Sequence, residues 1–194
     1  MTKYDKYEKN GDIHWQWYFD ERGNYRDLVE DSLKELRSAE RGLVLDIGAG
    51  DGLVEKLLLD EGFGVVAVEP DETGVEIMKE KLSDYNDDRY AIFQGTLSQF
   101  YANVIEQDRR LAFEFMYSLN TIEHVENYEI YNDIMERIVE FGIVVTDNKD
   151  ECGERSDYHL QEFSLHELKE VFTDYETEEI EIDNKCFIGI KVNG

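Results

Sequence analysis

Between residues 43 and 52 the chain reads LVLDIGAGDG, so one carboxylate, Asp46, stands just ahead of glycines at 48, 50 and 52. Leu53, Val54, Leu57 and Leu58 follow at helical spacing. Glycine allows close backbone approach and positive φ, and a helix that starts at such a turn aims its free N–H groups and positive dipole end into it. Gly48, Ala49, Gly50 and Gly52 therefore outline a ligand-binding turn. The side chains able to move a proton near neutral pH are His124, inside Glu123-His124-Val125, and His159, because unperturbed imidazole titrates there. The plainer role competes for each: EHV starts a helix, and His159 anchors a loop.

These residues need a frame that brings them together. Residues 43–47 are almost wholly apolar, as a strand buried on both faces is. A second apolar run, Val65, Val66, Ala67 and Val68, ends in Glu69-Pro70-Asp71, where Pro70 has no N–H to continue a ladder. A third strand is expected over 90–93, a fourth over 111–117 and a fifth over 143–146. Helices are expected over 25–38, 72–82, 97–105, 128–139 and 164–172. Strands alternating with helices at this spacing predict a doubly wound, mostly parallel α/β sheet with helices on both faces. Two late β runs, 178–182 and 186–192, flank Asp183-Asn184-Lys185 and predict a C-terminal antiparallel hairpin, which completes a seven-stranded sheet.

The remainder of the chain bounds the function. With 194 residues, one proline and no low-complexity linker, residues 25–194 read as a single domain. Residues 1–24 read as an arm rich in aromatics (Tyr4, Tyr7, Trp15, Trp17, Tyr18, Phe19), either packed on the domain or closing over its site as a lid. Forty-six acidic against twenty basic residues give a formal charge of −26, which repels phosphate backbones and anionic membranes. Nucleic acid is disfavoured as a partner; Arg109-Arg110 is the single adjacent basic pair. Cys152 and Cys186 fit no disulfide or metal spacing, the first residues are too charged for a signal peptide, and no apolar run spans a membrane. A reducing, cytoplasmic setting is expected.

Two glycine-rich alternatives fit poorly. A dinucleotide fingerprint wants a third small residue where Leu53 stands, and no G-K-[ST] follows as a phosphate loop requires. The chain instead resembles the class I S-adenosylmethionine-dependent methyltransferases. The likeness rests on LDIGAGDG, on Glu69 closing the second strand before Pro70, on EHV after the fourth strand and on HLQEFSLHEL near the end. It implies S-adenosylmethionine as cofactor and S-adenosylhomocysteine as product. By the same resemblance, Gly48, Ala49, Gly50 and Gly52 pass beneath the cofactor, and Asp46 lies near its ammonium group. Glu69 and the adjoining Pro70 meet the ribose, Thr96 and Leu97 the adenine, and Asn120 and Thr121 the methionine moiety and methyl group.

The expected acceptor is a small molecule methylated at oxygen or nitrogen. No metal site is assigned. Glu123, His124 and His159 resemble part of the metal set of small-RNA 2′-O-methyltransferases, yet Asn120 stands where another Glu belongs; Asp147-Asn148 lacks a companion Asp. The rivals are a silent cofactor-binding scaffold, an RNA 2′-O-methyltransferase and an NAD-dependent oxidoreductase.

Overall fold

Short runs rich in Val, Ile and Phe form one seven-stranded sheet: β1 Leu43–Ile47, β2 Gly64–Glu69, β3 Tyr90–Gln94, β4 Phe113–Leu119, β5 Ile138–Asp147, β6 Thr177–Glu179 and β7 Phe187–Asn193. The computed structural model describes residues 6–19, 23–85, 88–105, 107, 111–152 and 157–194; Tyr4 and the Arg109-Arg110 pair lie outside them. The strand order is β3-β2-β1-β4-β5-β7-β6. β1 to β5 run parallel, and β7 is antiparallel to both β5 and β6. The order reverses between β1 and β4, which opens a crevice at their carboxyl ends, where ligands bind in open α/β sheets.

Alternate residues of each strand feed two separate cores. Val44, Val65, Ala67, Tyr117 and Ile143 pack with α3 (Gly23–Ser38), α4 (Leu53–Asp60) and α5 (Glu72–Lys81) on one face. Leu45, Ile47, Met116, Val144 and Ile190 pack with α6 (Leu97–Phe100), α7 (Ile130–Met135) and α8 (Leu165–Glu170) on the other. Helices thus cover both faces, as the side-chain alternation of strands requires. No helix among the described residues is long and apolar enough to cross a membrane.

Several boundaries differ from the sequence reading. The helix expected over 128–139 stops at Met135 and β5 starts at Ile138, because Phe113 N–H donates to the Arg137 carbonyl and draws that stretch into the sheet. A register shift between Phe113 and Phe115 absorbs the extra residues. The segment 97–105 divides into α6 and a π-helical turn, Tyr101–Ile105. The hairpin is present, though β6 covers three residues. The first described residues form α1 (Lys6–Asn10) and α2 (Ile13–Phe19). Cys152 and Cys186 are free thiols. Burial, then the hydrogen bond with Cys186, pushes the Cys152 thiol up to about 12.

Leu45 has no exposed surface and sits at the centre of the sheet. Leu45→Ala is expected to lower unfolding free energy by about 2–5 kcal/mol, through lost transfer energy plus a cavity. Chemical denaturation should show a lower midpoint with an unchanged slope.

Candidate functional site

The glycine turn ends β1 and begins α4. Gly48, Gly50 and Gly52 have φ of 82°, 64° and 84°, values that cost an L side chain strain. Space is short at all three as well: a Cβ on Gly48 would lie 2.1 Å from Thr121 Oγ1, one on Gly50 2.4 Å from the Tyr7 hydroxyl and one on Gly52 2.6 Å from Met78 Cγ. The turn is held from above and from the side. Gly48 N–H and Ala49 N–H donate to the Val68 carbonyl at 2.8 and 3.2 Å. Gly50 N–H donates to Glu69 Oε2 and Asp71 N–H to Glu69 Oε1, both at 2.8 Å.

Glu69 thus has one backbone donor on each carboxylate oxygen, and a carboxylate has lone pairs for about four. Two acceptor positions remain. Burial nevertheless dominates its titration and raises it to about 7, against the lowering effect of the Asp71 and Gly50 amides. Pro70 is exposed beside it. Thr96 is exposed at the end of β3 and serves as the N-cap of α6: its hydroxyl accepts from Gln99 N–H, and its own N–H donates to Gln99 Oε1. Leu97 behind it is buried.

Asn120 and Thr121 leave β4 opposite the turn. Asn120 has φ 48°, a left-handed conformation that Asn tolerates better than most residues, and its N–H donates to the Val145 carbonyl. Its side-chain carbonyl oxygen is buried, with no hydrogen-bond donor among the described residues. Thr121 Oγ1 donates to the Leu119 carbonyl and packs over Gly48.

Next comes a 3-10 turn, Ile122–His124. The segment 158–161 is laced onto it: Leu160 N–H donates to the Glu123 carbonyl, and Gln161 Nε2 to the carbonyls of Ile122 and Val125. The two histidines, 35 positions apart in the chain, therefore meet, with ring centroids 4.9 Å apart. His124 Nδ1 bonds the Tyr158 carbonyl at 3.0 Å, and His159 Nε2 stands 3.6 Å from Asp147 Oδ2. Burial, above all, lowers the His124 pKa. Glu123 is 1 % exposed, and burial pushes it up to about 8 against the lowering effect of its own backbone N–H and the Thr146 hydroxyl. One ligand atom from each of Glu123, His124 and His159 lies within 4.8 Å of the others, so the group could hold a cation.

Residues outside the sequence-derived set complete the site. Asp51, with no exposed surface, accepts from His14 N–H at 2.9 Å and bonds His14 Nδ1 at 3.2 Å, while Trp15 Nε1 donates to its carbonyl. Lys6 Nζ bonds His14 Nε2 at 2.7 Å; burial lowers its pKa, opposed by Asp51, Glu69, Glu123 and Asp147. The Tyr7 ring fits between Gly50 and Gly74. The arm, α1 and α2, thus lies directly on the glycine turn. Asp46 and Glu55 are buried, and burial, above all, raises both carboxyl groups, Asp46 to about 7 and Glu55 well above the ordinary carboxylate range. Glu55 was visible in principle as a charged residue on the apolar stripe of α4. The contacts of Lys6 and His14 carry no local signal.

A family model described as a methyltransferase domain matches residues 19–178. No curated protein matches the chain. Among solved structures, an S-adenosylmethionine-dependent methyltransferase from Aquifex aeolicus superposes with a TM-score of 0.63 at 16% identity, over 86% of this chain and 90% of that one. The methyltransferase domain of bacterial CtHen1 gives 0.60 at 21% identity, over 86% and 95%. The 1,6-didemethyltoxoflavin-N1-methyltransferase of Burkholderia thailandensis gives 0.64 at 16% identity, over 95% and 87%. At such identities the superpositions speak to the fold.

The raised carboxyls set a pH signature. Glu69, at about 7, and Glu123, at about 8, bind their protons more tightly folded than unfolded, so their burial destabilises the chain increasingly as pH rises from the ordinary carboxylate range to about 8. Calorimetry of the cofactor-free protein should show a melting temperature that falls between about pH 5 and pH 8 and then levels off. Glu123→Gln should flatten the upper part of that decline.

Proposed function

Because the chain belongs to the class I S-adenosylmethionine-dependent methyltransferase family, we propose that it transfers a methyl group from this cofactor to an oxygen or nitrogen of a small molecule in a reducing, cytoplasmic setting. One observation carries the reading. Thr121, packed on Gly48, sets the polar group Asn120, Glu123, His124, Asp147 and His159 beside the glycine turn, so a donor site adjoins an acceptor site.

The cofactor's sulfonium supplies the activated methyl group; the chain's work is alignment and charge. Glu69 receives the two ribose hydroxyls on its remaining lone pairs. Asp46 supplies negative charge beneath the turn for the ammonium group, which a neutral ligand would not need. Thr96 and Leu97 border the adenine. The buried Asn120 carbonyl oxygen, without a donor among the described residues, would be able to accept a polarised C–H of the cofactor or an acceptor N–H. A protonated acceptor must lose its proton as the new bond forms. His124 is held neutral by burial, and the Tyr158 carbonyl takes its Nδ1–H, which puts the lone pair on Nε2. With His159 it forms the proton-accepting side. The arm acts as a lid: Lys6, Tyr7 and His14 must shift for a cofactor to enter beneath them. The net charge of −26 favours a neutral or cationic acceptor over a polyanion.

The Glu123, His124 and His159 group supports a second reading, in which a divalent ion bound there acidifies an acceptor hydroxyl. Turnover that rises with Mn²⁺ or Mg²⁺ and disappears with a chelator favours it; chelator-insensitive turnover favours histidine alone.

Titration with S-adenosylmethionine and S-adenosylhomocysteine, followed by mass spectrometry on an acceptor panel, tests the reading. Absence of binding at millimolar concentrations sinks it, binding without turnover points to a silent scaffold, and binding of NAD alone points to an oxidoreductase. Glu69→Ala should weaken cofactor binding by about 1.5–3 kcal/mol through loss of charge-assisted hydrogen bonds. His159→Ala should lower kcat about tenfold or more while cofactor affinity stays unchanged; equal kcat would leave His159 only its place in the loop.

A further inference from the structure

Asp51, the acid of the glycine turn, has no exposed surface, and the arm takes both of its carboxylate oxygens: Oδ2 accepts from His14 N–H at 2.9 Å, and Oδ1 meets His14 Nδ1 at 3.2 Å. That contact orients the imidazole. A carboxylate only accepts, so Nδ1 carries the hydrogen and Nε2 keeps the lone pair, to which Lys6 Nζ donates at 2.7 Å. The ring itself lies against the turn, since a Cβ on Gly50 would stand 3.3 Å from both His14 Cε1 and Nδ1 and 2.4 Å from the hydroxyl of Tyr7, the chain neighbour of Lys6. Lys6 Nζ also lies 5.2 Å from the centre of the Trp17 ring. Hydrogen bonds and packing thus carry an ammonium group to the cofactor turn. An ammonium has three hydrogens, and His14 takes one of them.

S-adenosylmethionine brings an anion to this crevice as well as its cations. The residues set against its ammonium group, ribose, adenine and methyl group leave its methionine carboxylate without a partner, and the acids buried around the turn would repel it. Lys34, Lys56 and Lys149 are paired instead with Asp31, Asp60 and Glu167. We propose that Lys6 binds the carboxylate of the cofactor's methionine end, with His14 and Asp51 as the positioning residues that hold its ammonium group at the glycine turn. The inference rests on the methyltransferase reading and deepens it. The site and its ligand then match in both signs: acids of the domain serve the sulfonium and ammonium groups, and a lysine of the arm serves the carboxylate. Burial lowers the Lys6 pKa, opposed first by Asp51 and then by Glu69, Glu123 and Asp147, and a bound carboxylate adds to the opposing side. The arm on this account is part of the binding site as well as its cover.

Calorimetry with three probes separates this role from simple docking of the arm: S-adenosylhomocysteine, its decarboxylated analogue, which keeps the amine, and 5′-methylthioadenosine, which lacks both amine and carboxylate. Lys6→Met keeps the apolar stem and removes the charge. It should bind S-adenosylhomocysteine about tenfold or more weakly than wild type does, yet bind the other two probes within about twofold of wild type. Lys6→Arg should recover S-adenosylhomocysteine binding to within about fivefold. Trp15 and Trp17 are the chain's only tryptophans and both lie on α2, so their emission reports whether the arm is still docked. Should the arm of Lys6→Met detach, the ratio of affinities for S-adenosylhomocysteine and its decarboxylated analogue still decides, because loss of docking weakens every probe alike. An equal loss for all three probes, or S-adenosylhomocysteine held by Lys6→Met as tightly as by wild type, would overturn the proposal. Wild type that binds none of the three strikes the methyltransferase reading itself, and the proposal with it.

Discussion

The crevice depends on a single carboxylate bridging two strand ends. Glu69 leaves β2 and accepts one backbone N–H from the glycine turn after β1 and one from its own following turn. In a parallel sheet the loops at the carboxyl ends have no ladder to order them, so their geometry must come from such contacts. Here the contact joins β1, which borders the switch in strand order, to its neighbour β2, and the Val68 carbonyl adds two bonds to the same turn. A buried acid that raises its own pKa is an expensive fastener.

The distribution of charge follows the same logic. Most of the molecule's acidic excess is solvated surface, but Asp46, Asp51, Glu55, Glu69 and Glu123 are buried and gathered around one crevice. Among the described residues, the cation that hydrogen bonding through His14 places beside Asp51, Lys6, comes from the arm rather than from the domain. Burial holds part of this group protonated near neutral pH, so its charge is poised to respond to a cationic occupant. A sulfonium with an adjacent ammonium group is such an occupant, whereas a dinucleotide's pyrophosphate would meet repulsion.

Sheet, helices and the glycine turn were legible because their signals are local: apolar runs of strand length, helical stripes, a proline that ends a ladder. The boundary near Met135 was misread because Ile138 and Val139 continue a helical pattern, and only pairing with Phe113 makes them strand. Within the site, Asp46, Gly48, Gly50, Glu69 and Asn120 could be placed by their position after a strand. Thr96 could be placed as well, but not its use as a helix cap. The meeting of His124 with His159 depends on how a long loop folds back, and the burial of Lys6 and His14 on where the arm lands. No spacing rule encodes either.

The arm's contacts also carry a kinetic meaning. Its anchoring bonds join residues 14 and 15 to Asp51, and Tyr7 requires Gly50 and Gly74 already in place, so nothing for the arm to dock against exists until β1, α4 and α5 have assembled. Docking closes a loop of more than thirty residues, an entropic cost that only a finished surface repays. α1 and α2 are therefore the last part of the chain to settle during folding and the first to detach from the native state, a small opening unit at the low-stability end of the molecule.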